Sequence, residues 1–297
     1  MFRKLRRFLA YLFVKVLIGL AEVLPRKTGG AWFGALGSLA YSVAPGSRRV
    51  ALANLKLVYG ESHSDIELER MARAAFRNLG RILYDFARMR KQTREGLSGL
   101  VTIKGKHHLD QALARGKGVI ALTGHIGNWE LMGAYYSLNG YPLNVLATRM
   151  SNAPVNHLLL GLRRSAGLKV LERSGELMGA VRALRRGEML GVLVDLDTSV
   201  ESVIVDFLGR PAKTAAGYVK LATVTGASLV PMAMLMREDG RYEIQVNEAI
   251  GISGNRDSLK SDVEQCSRAV EKFIRQEPTQ WIWMHKRWKS VCSEIYA

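Results

Sequence analysis

The sequence predicts an α/β fold, with a central mostly parallel or mixed sheet flanked by helices and an N-terminal helical region that associates with membrane. Three observations lead there. From about residue 100, short β-rich runs alternate with helical patterns, the mark of a sheet covered by helices. Before that point the patterning is helical throughout. The first 24 residues join a basic leader to an apolar run. A chain of 297 residues with 48% hydrophobic content can bury a sizeable core, and 23% charged residues without low-complexity tracts set aside disordered and fibrous classes. Cys266 and Cys292 are too few for a disulfide framework or a zinc cluster.

Element by element, Met1–Arg7 carries four basic residues, and the apolar run 8–24 follows, interrupted by Lys15 and Glu22 and closed by Pro25, Arg26 and Lys27. At 1.5 Å per residue this run falls just short of the roughly 30 Å hydrocarbon core. Positive charge flanks both ends, whereas a spanning helix shows more of it on one side. A helix lying in the interface with Lys15 snorkelling fits best; a true span, a signal peptide and a buried core helix compete with it. Residues 31–43 form a second apolar helix, in which Gly30, Gly34 and Gly37 suit close helix contact better than a dinucleotide fingerprint. Pro45-Gly46 stops it, and Ser47 is the expected cap of a helix over 48–59. Ser64 caps a long helix reaching about Arg90, with Met71, Ala75, Leu79, Ile82, Leu83 and Phe86 on its apolar face. Its many arginines read as a solvated face or a membrane contact. Residues 1–45 are therefore expected to form the anchoring region, and 46–297 a single unit that includes the C-terminus.

Strands are expected at 101–104, 118–123, 142–148, 168–171, 190–195, 229–236 and 242–247, with helices at 107–115, 129–139, 153–166, 175–186 and 212–226. A long helix from about 258 ends at Glu277-Pro278, and a Trp-rich tail follows. In such folds chemistry gathers at the carboxyl ends of the strands.

One segment concentrates that chemistry. Val119 to Glu130, VIALTGHIGNWE, reads as a buried strand, a glycine-bearing turn and a helix beginning near Asn128 or Trp129. His125 stands at the strand's end and Glu130 in the first helical turn, where negative charge is favoured. Imidazole is suited to take a proton near neutral pH, and a carboxylate on its far nitrogen fixes the tautomer. Free N–H groups at the helix start can face an oxyanion. Taken alone, an H-x4-E pair is as well explained by a turn histidine and a helix-start acid. Other templates fail: there is no G-x-S-x-G elbow, no H-E-x-x-H, no C-x-x-C, and Gly116-Lys117 lacks the rest of a phosphate loop. His63, His107, His108 and His157 read as surface or helix-start residues, and no metal ligand set emerges.

Seven blocks in order give the sequence a family resemblance over nearly its whole length. They are Gly124 to Glu130, Arg149 after the next strand, Leu162-Arg163-Arg164-Ser165-Ala166-Gly167, Val194-Asp195-Leu196-Asp197, Phe207 to Thr214, Val230-Pro231, and Trp281 to Lys289. The chain resembles the bacterial lipid A biosynthesis acyltransferases, the late lauroyl/myristoyl transferases, within the wider glycerolipid and lysophospholipid acyltransferase superfamily with its H-x4-D/E motif. Val194 departs from the proline usual there. The resemblance implies an enzyme on the cytoplasmic face of the inner membrane that moves an acyl chain from acyl carrier protein to a lipid hydroxyl; acyl-CoA is the alternative donor. It implies no cofactor beyond the acyl thioester. His125 would take the hydroxyl proton, with Glu130 as the favoured carboxylate partner and Asp195 or Asp197 as replacements. Backbone N–H groups or Arg163 would stabilise the oxyanion. Asn128, Arg149, Arg163 and Arg164 would bind substrate, the guanidiniums suiting acceptor phosphates. Trp281, Trp283 and Trp288 are expected to be mostly core, and His285 a structural hydrogen-bonder.

Charge agrees with an anionic lipid acceptor and a membrane surface. There are 43 Lys+Arg against 26 Asp+Glu, a net +17, and residues 1–100 hold 18 of the basic and 7 of the acidic side chains. A basic, non-catalytic membrane- or nucleic-acid-binding protein would explain the charge but not the His-Gly-Asn-Trp-Glu block. RNA binding would also need exposed aromatics in an RNP-like pattern, so nucleic acid is not an expected partner. Acyl transfer to a phospholipid, a mannosylated glycolipid or an aminolipid is the other enzymatic reading.

Overall fold

A computed structural model describes residues 2–172, 177–255 and 257–297. The chain begins with four helices: α1 (Phe2–Val23), α2 (Arg26–Val43), α3 (Pro45–Tyr59) and α4 (Asp65–Ala87). Ser64 caps α4 as expected, in a reciprocal capping box with Glu67. Ser47 does not cap α3, because Pro45 starts that helix at its first turn, where the missing N–H costs nothing. Along α4, Ile82 and Phe86 are buried as expected, but Leu83 is 49% exposed, because the buried surface near the helix end is made by Tyr84, Asp85 and Ala87 instead. Of the α2 glycines expected at a close helix contact, Gly34 and Gly37 serve it and Gly30 does not, since a Cβ there would meet only a Tyr84 ring carbon at 4.0 Å. A Cβ on Gly37 would run into the Phe76 carbonyl oxygen, and one on Gly80 of α4 into the Phe33 carbonyl oxygen.

After the short α5 (Arg94–Ser98) come β1 (Val101–Lys104), α6 (Lys106–Ala114), β2 (Val119–Thr123), α7 (Trp129–Leu138), β3 (Leu143–Ala147), α8 (Ala153–Ser165) and β4 (Lys169–Glu172). Then follow α9 (Leu177–Arg185), β5 (Met189–Leu193), β6 (Ser202–Phe207), β7 (Arg210–Ala215), α10 (Gly217–Thr225), β8 (Ser228–Met236), β9 (Tyr242–Val246) and α11 (Leu259–Gln276). The helix expected over 175–186 starts, in its first two positions, outside the described residues. The helix expected from 212 begins only at Gly217, because residues 210–215 pair with β6 as an antiparallel hairpin that the sequence reading missed.

Seven strands form the main sheet in the order β1-β9-β8-β2-β5-β3-β4, all neighbours parallel except β8 and β9. β2 is its middle strand and is buried along its whole length, as a parallel strand covered on both faces must be. Its side chains divide between two cores by the two-residue period of a strand. Ile120 and Leu122 join the core that holds α9, α10, α11 and the C-terminal tryptophans. Val119 and Ala121 join the one that holds α6, α7 and the inner faces of α1 and α4. Trp281, Trp283 and Trp288 are all buried, in line with the core reading.

Candidate active site

The parallel pairing of β2 with β5 puts Thr123 opposite Leu193, and the Val194 N–H continues the ladder to the Thr123 carbonyl. The residues just past the two strand ends, His125 and Asp195, are thereby brought side by side. Asp195 Oδ1 lies 2.9 Å from His125 Nδ1, and the His125 backbone N–H donates to Oδ2 at 2.6 Å. Trp281 Nε1 donates to the same Oδ2 at 2.7 Å. Gly124 leaves room for this carboxylate, since a Cβ there would sit 2.9 Å from Asp195 Oδ2. Burial pushes the Asp195 pKa up, but the His125 charge and these three donors outweigh it, so the net shift is below the ordinary carboxylate value. An ionised Asp195 accepts from Nδ1–H and leaves Nε2 as the basic nitrogen on the opposite side of the ring. The His125 side chain keeps 22% of its surface exposed, and Trp129 stands edge-on to it at 5.1 Å.

Glu130, the expected partner, does not make this contact. It lies in the first turn of α7 but is bound by Arg163 from the last turn of α8, with Nε donating to Oε2 at 3.0 Å and Nη2 to Oε1. The guanidinium also lies over the Phe86 ring at 5.4 Å. Burial works to lower the Arg163 pKa, yet the Glu130 hydrogen bond and charge raise it overall. Asp197 is likewise spent elsewhere: it accepts from the Ser290 N–H and hydroxyl, both at 2.9 Å, and fastens the C-terminal tail.

The turn between β2 and α7 is held by other segments. Gly127 adopts φ 59°, where a Cβ would collide with the Met234 carbonyl oxygen. Its N–H donates to the Gln280 carbonyl and that of Asn128 to the Met234 carbonyl. The Asn128 N–H, at the helix start where free oxyanion donors were expected, is thus already used, as is that of Gly127. Asn128, expected to bind substrate, is fully buried and engaged internally. Its Oδ1 caps α7 at the Leu131 N–H, and its Nδ2 donates to Tyr242 Oη at 3.0 Å and to Asp85 Oδ2 at 3.2 Å. Asp85 in turn accepts from Tyr242 Oη at 2.6 Å and pairs with Arg26 of α2. Burial raises the Asp85 pKa in spite of Arg26 and Tyr242.

Asp85, Tyr242, Arg26 and Trp281 were absent from the sequence-level site. Asp85 left a signal, an acid lying on an apolar helix face between Ile82 and Phe86. Trp281 lay inside the closing block but gave no hint of its donor role. Within that block Arg287 is buried, with Nη1 on the Lys213 carbonyl and Nη2 on Thr214 Oγ1, so it ties the tail to β7. Burial pushes its pKa down to about 10 against the pull of Asp195 and Asp197. His285 takes part in structural hydrogen bonding through its backbone carbonyl, which accepts from Asn54 Nδ2 at 2.7 Å, while its ring Nδ1 is buried without a partner. Arg149 and Arg164 are exposed, and Arg149 lines a groove between α1 and α8.

Residues 1–290 match the family described as "Bacterial lipid A biosynthesis acyltransferase". The chain is 26% identical over 239 residues to a lipid A biosynthesis acyltransferase of Haemophilus influenzae, covering 78% of this chain and 73% of that one. It is 29% identical over 202 residues to a phosphatidylinositol mannoside acyltransferase of Mycobacterium tuberculosis, covering 65% and 61%. To the lipid A biosynthesis lauroyltransferase of Escherichia coli it is 24% identical over 257 residues, covering 86% and 83%.

Proposed function

The chain belongs to the bacterial lipid A biosynthesis acyltransferase family, and on that premise we propose that it moves a fatty acyl chain from an acyl thioester, on acyl carrier protein or coenzyme A, to a hydroxyl of a lipid A precursor. The observation that carries this reading is the His125–Asp195 pair at the carboxyl edge of the middle strands. The acceptor oxygen attacks the thioester carbonyl carbon while its proton passes to His125 Nε2. Asp195 holds the ring and balances the imidazolium charge. The tetrahedral oxyanion then collapses, the C–S bond breaks, and the departing sulfur takes the proton from Nε2, leaving an ester and a free thiol. General-base assistance of this kind is worth roughly 10²–10⁴-fold. Since the Gly127, Asn128, Leu131 and Met132 N–H groups are engaged, oxyanion stabilisation falls to the Trp129 and Glu130 N–H groups at the start of α7 and to the charge of Arg163, whose Nε and Nη2 stay on Glu130.

The reading places the enzyme on the cytoplasmic face of the inner membrane. No helix among the described residues is long and apolar enough to cross a membrane. The exposed Leu5, Phe8, Leu9, Leu12, Phe13 and Val16 of α1 support a helix lying in the interface. Similarity to the mannoside acyltransferase favours a second reading in which the acceptor is another glycolipid. The two are separated by incubating purified protein with an acyl thioester and either a lipid A precursor or a mannosylated phosphatidylinositol, with mass spectrometry of the products. The first reading expects one added acyloxyacyl chain on the precursor. His125→Ala, folded as judged by circular dichroism, should lose nearly all transfer; a variant with near-normal turnover refutes the mechanism.

A further inference from the structure

An open groove of about 910 Å³ runs between α1 and α8. Three cations line it, Lys4 and Arg7 from α1 and Arg149 from the segment after β3, together with the apolar Phe8, Tyr11 and Leu158. Glu172, the last residue of β4, also lines it. One side chain bridges the two walls of the groove. Asn152 caps α8 by accepting from the Val155 N–H at 3.5 Å, and its Nδ2 donates to the Arg7 carbonyl at 3.0 Å. The start of α8 and the first turns of α1 are thereby clamped together.

Position connects this groove to the chemistry. Arg149 and Glu172 lie at the carboxyl ends of β3 and β4, and His125 and Asp195 at those of β2 and β5. In the order β2-β5-β3-β4 all of these strands are parallel. The groove therefore opens on the same sheet edge as the His125–Asp195 pair. With neighbouring strands about 4.8 Å apart, β3 lies roughly 10 Å to the side of β2.

Three cations beside apolar side chains match an amphiphile with an anionic head. Two phosphate-bearing ligands meet that description on the reading above, the lipid acceptor and the phosphopantetheine arm of the donor. The groove favours the acceptor. Its wall, Phe8, is part of the outward apolar stripe of α1 with Leu5, Leu9 and Leu12, so its mouth is continuous with the surface at which a membrane lipid would lie. A donor carried by a soluble protein or coenzyme A arrives from water.

We propose that the α1–α8 groove seats the phosphorylated head group of the lipid acceptor, with Lys4, Arg7 and Arg149 as its phosphate-binding cations. The first helix is then one wall of the substrate site as well as a surface anchor. The identity of the ligand as acceptor rests on the acyltransferase reading; the phosphate preference of the groove does not.

The test uses the full-length protein and three kinds of phosphatidylcholine vesicle: one carrying a bisphosphorylated, acylated glucosamine disaccharide, one the same glycolipid without phosphates, and one phosphatidylglycerol at matched charge. Wild type should bind the phosphorylated glycolipid most tightly. Arg7→Gln/Arg149→Gln, with unchanged thermal melting, should lose roughly tenfold in that affinity and little on the other two vesicles. Equal loss on phosphatidylglycerol would reduce the cations to general surface charge and overturn the proposal, as would an equal loss on the dephosphorylated lipid or no loss at all. Displacement of the phosphorylated glycolipid by coenzyme A would assign the groove to the donor and also overturn it. Phosphate-selective binding that the double variant removes, in a wild type that forms no ester, would uphold the groove while rejecting the acyltransferase reading.

Discussion

Asp195 accepts three hydrogen bonds in a fully buried position, and each donor comes from a segment whose placement is settled by the fold: the β2 turn, the His125 ring and the C-terminal Trp281. Asp195→Asn would remove the charge that balances an imidazolium and disturb the tautomer, so kcat should fall by roughly 10²–10⁴-fold. Glu130→Gln leaves the His125–Asp195 pair intact and should cost less in kcat; the reverse order would return the histidine's support to Glu130. The pH dependence follows from the direction of the Asp195 shift. Its pKa is lower folded than unfolded, so the stability it contributes is fully present above the ordinary carboxylate pKa and is lost as pH falls through the depressed value. Asp85 behaves oppositely, because burial raises its pKa. Arg26→Met leaves that carboxylate buried without its cation and should cost about 3 kcal/mol at neutral pH in urea unfolding. A folded-state pKa above the unfolded one makes the cost shrink as pH falls and Asp85 takes up a proton; a destabilisation independent of pH would show that Asp85 is not the group left exposed to the loss.

Helices α2 and α4 cross backbone to backbone, with Gly37 against Phe76 and Gly80 against Phe33. Gly37→Ala should therefore force the pair apart and cost about 1–3 kcal/mol. Gly30→Ala, whose nearest neighbour would be a Tyr84 ring carbon at 4.0 Å, should gain roughly 0.5–1 kcal/mol from helix propensity. Thermal melting of the two variants checks this, and shifts of the same sign would deny that glycine is needed at the crossing. The inner strands β2, β5 and β8 were legible because strands buried along most of their length are short apolar runs between turn residues. The β6–β7 hairpin was not, for two physical reasons. Its two-residue turn is Leu208-Gly209, with Leu208 at φ 56°, where Asn or Asp would have been the recognisable signal. Pro211 in β7 also argues against a strand, and survives because a two-stranded ribbon has an open edge.

Across the whole molecule, the sheet's carboxyl edge carries the histidine, its carboxylate and the cationic groove, while the outer face of α1 keeps its apolar side chains exposed. Phe13, 64% exposed, is a direct probe of the surface reading. Phe13→Glu should weaken flotation with anionic vesicles without lowering the melting temperature, and unaltered flotation would count against the interfacial helix. What the sequence determined by itself is whatever depends on neighbours along the chain: the amphipathic helices, the buried β2 run, the Ser64 cap, and the imidazole placed at a strand end. Only the tertiary structure decided which carboxylate reaches His125, that Glu130 belongs to Arg163, and that Asn128 is locked to Asp85 and Tyr242. Those partners lie tens of residues apart, and they meet through strand order and register. A parallel pairing that matches Thr123 with Leu193 puts Asp195 at the imidazole, and local periodicity carries no information about which strands will lie side by side.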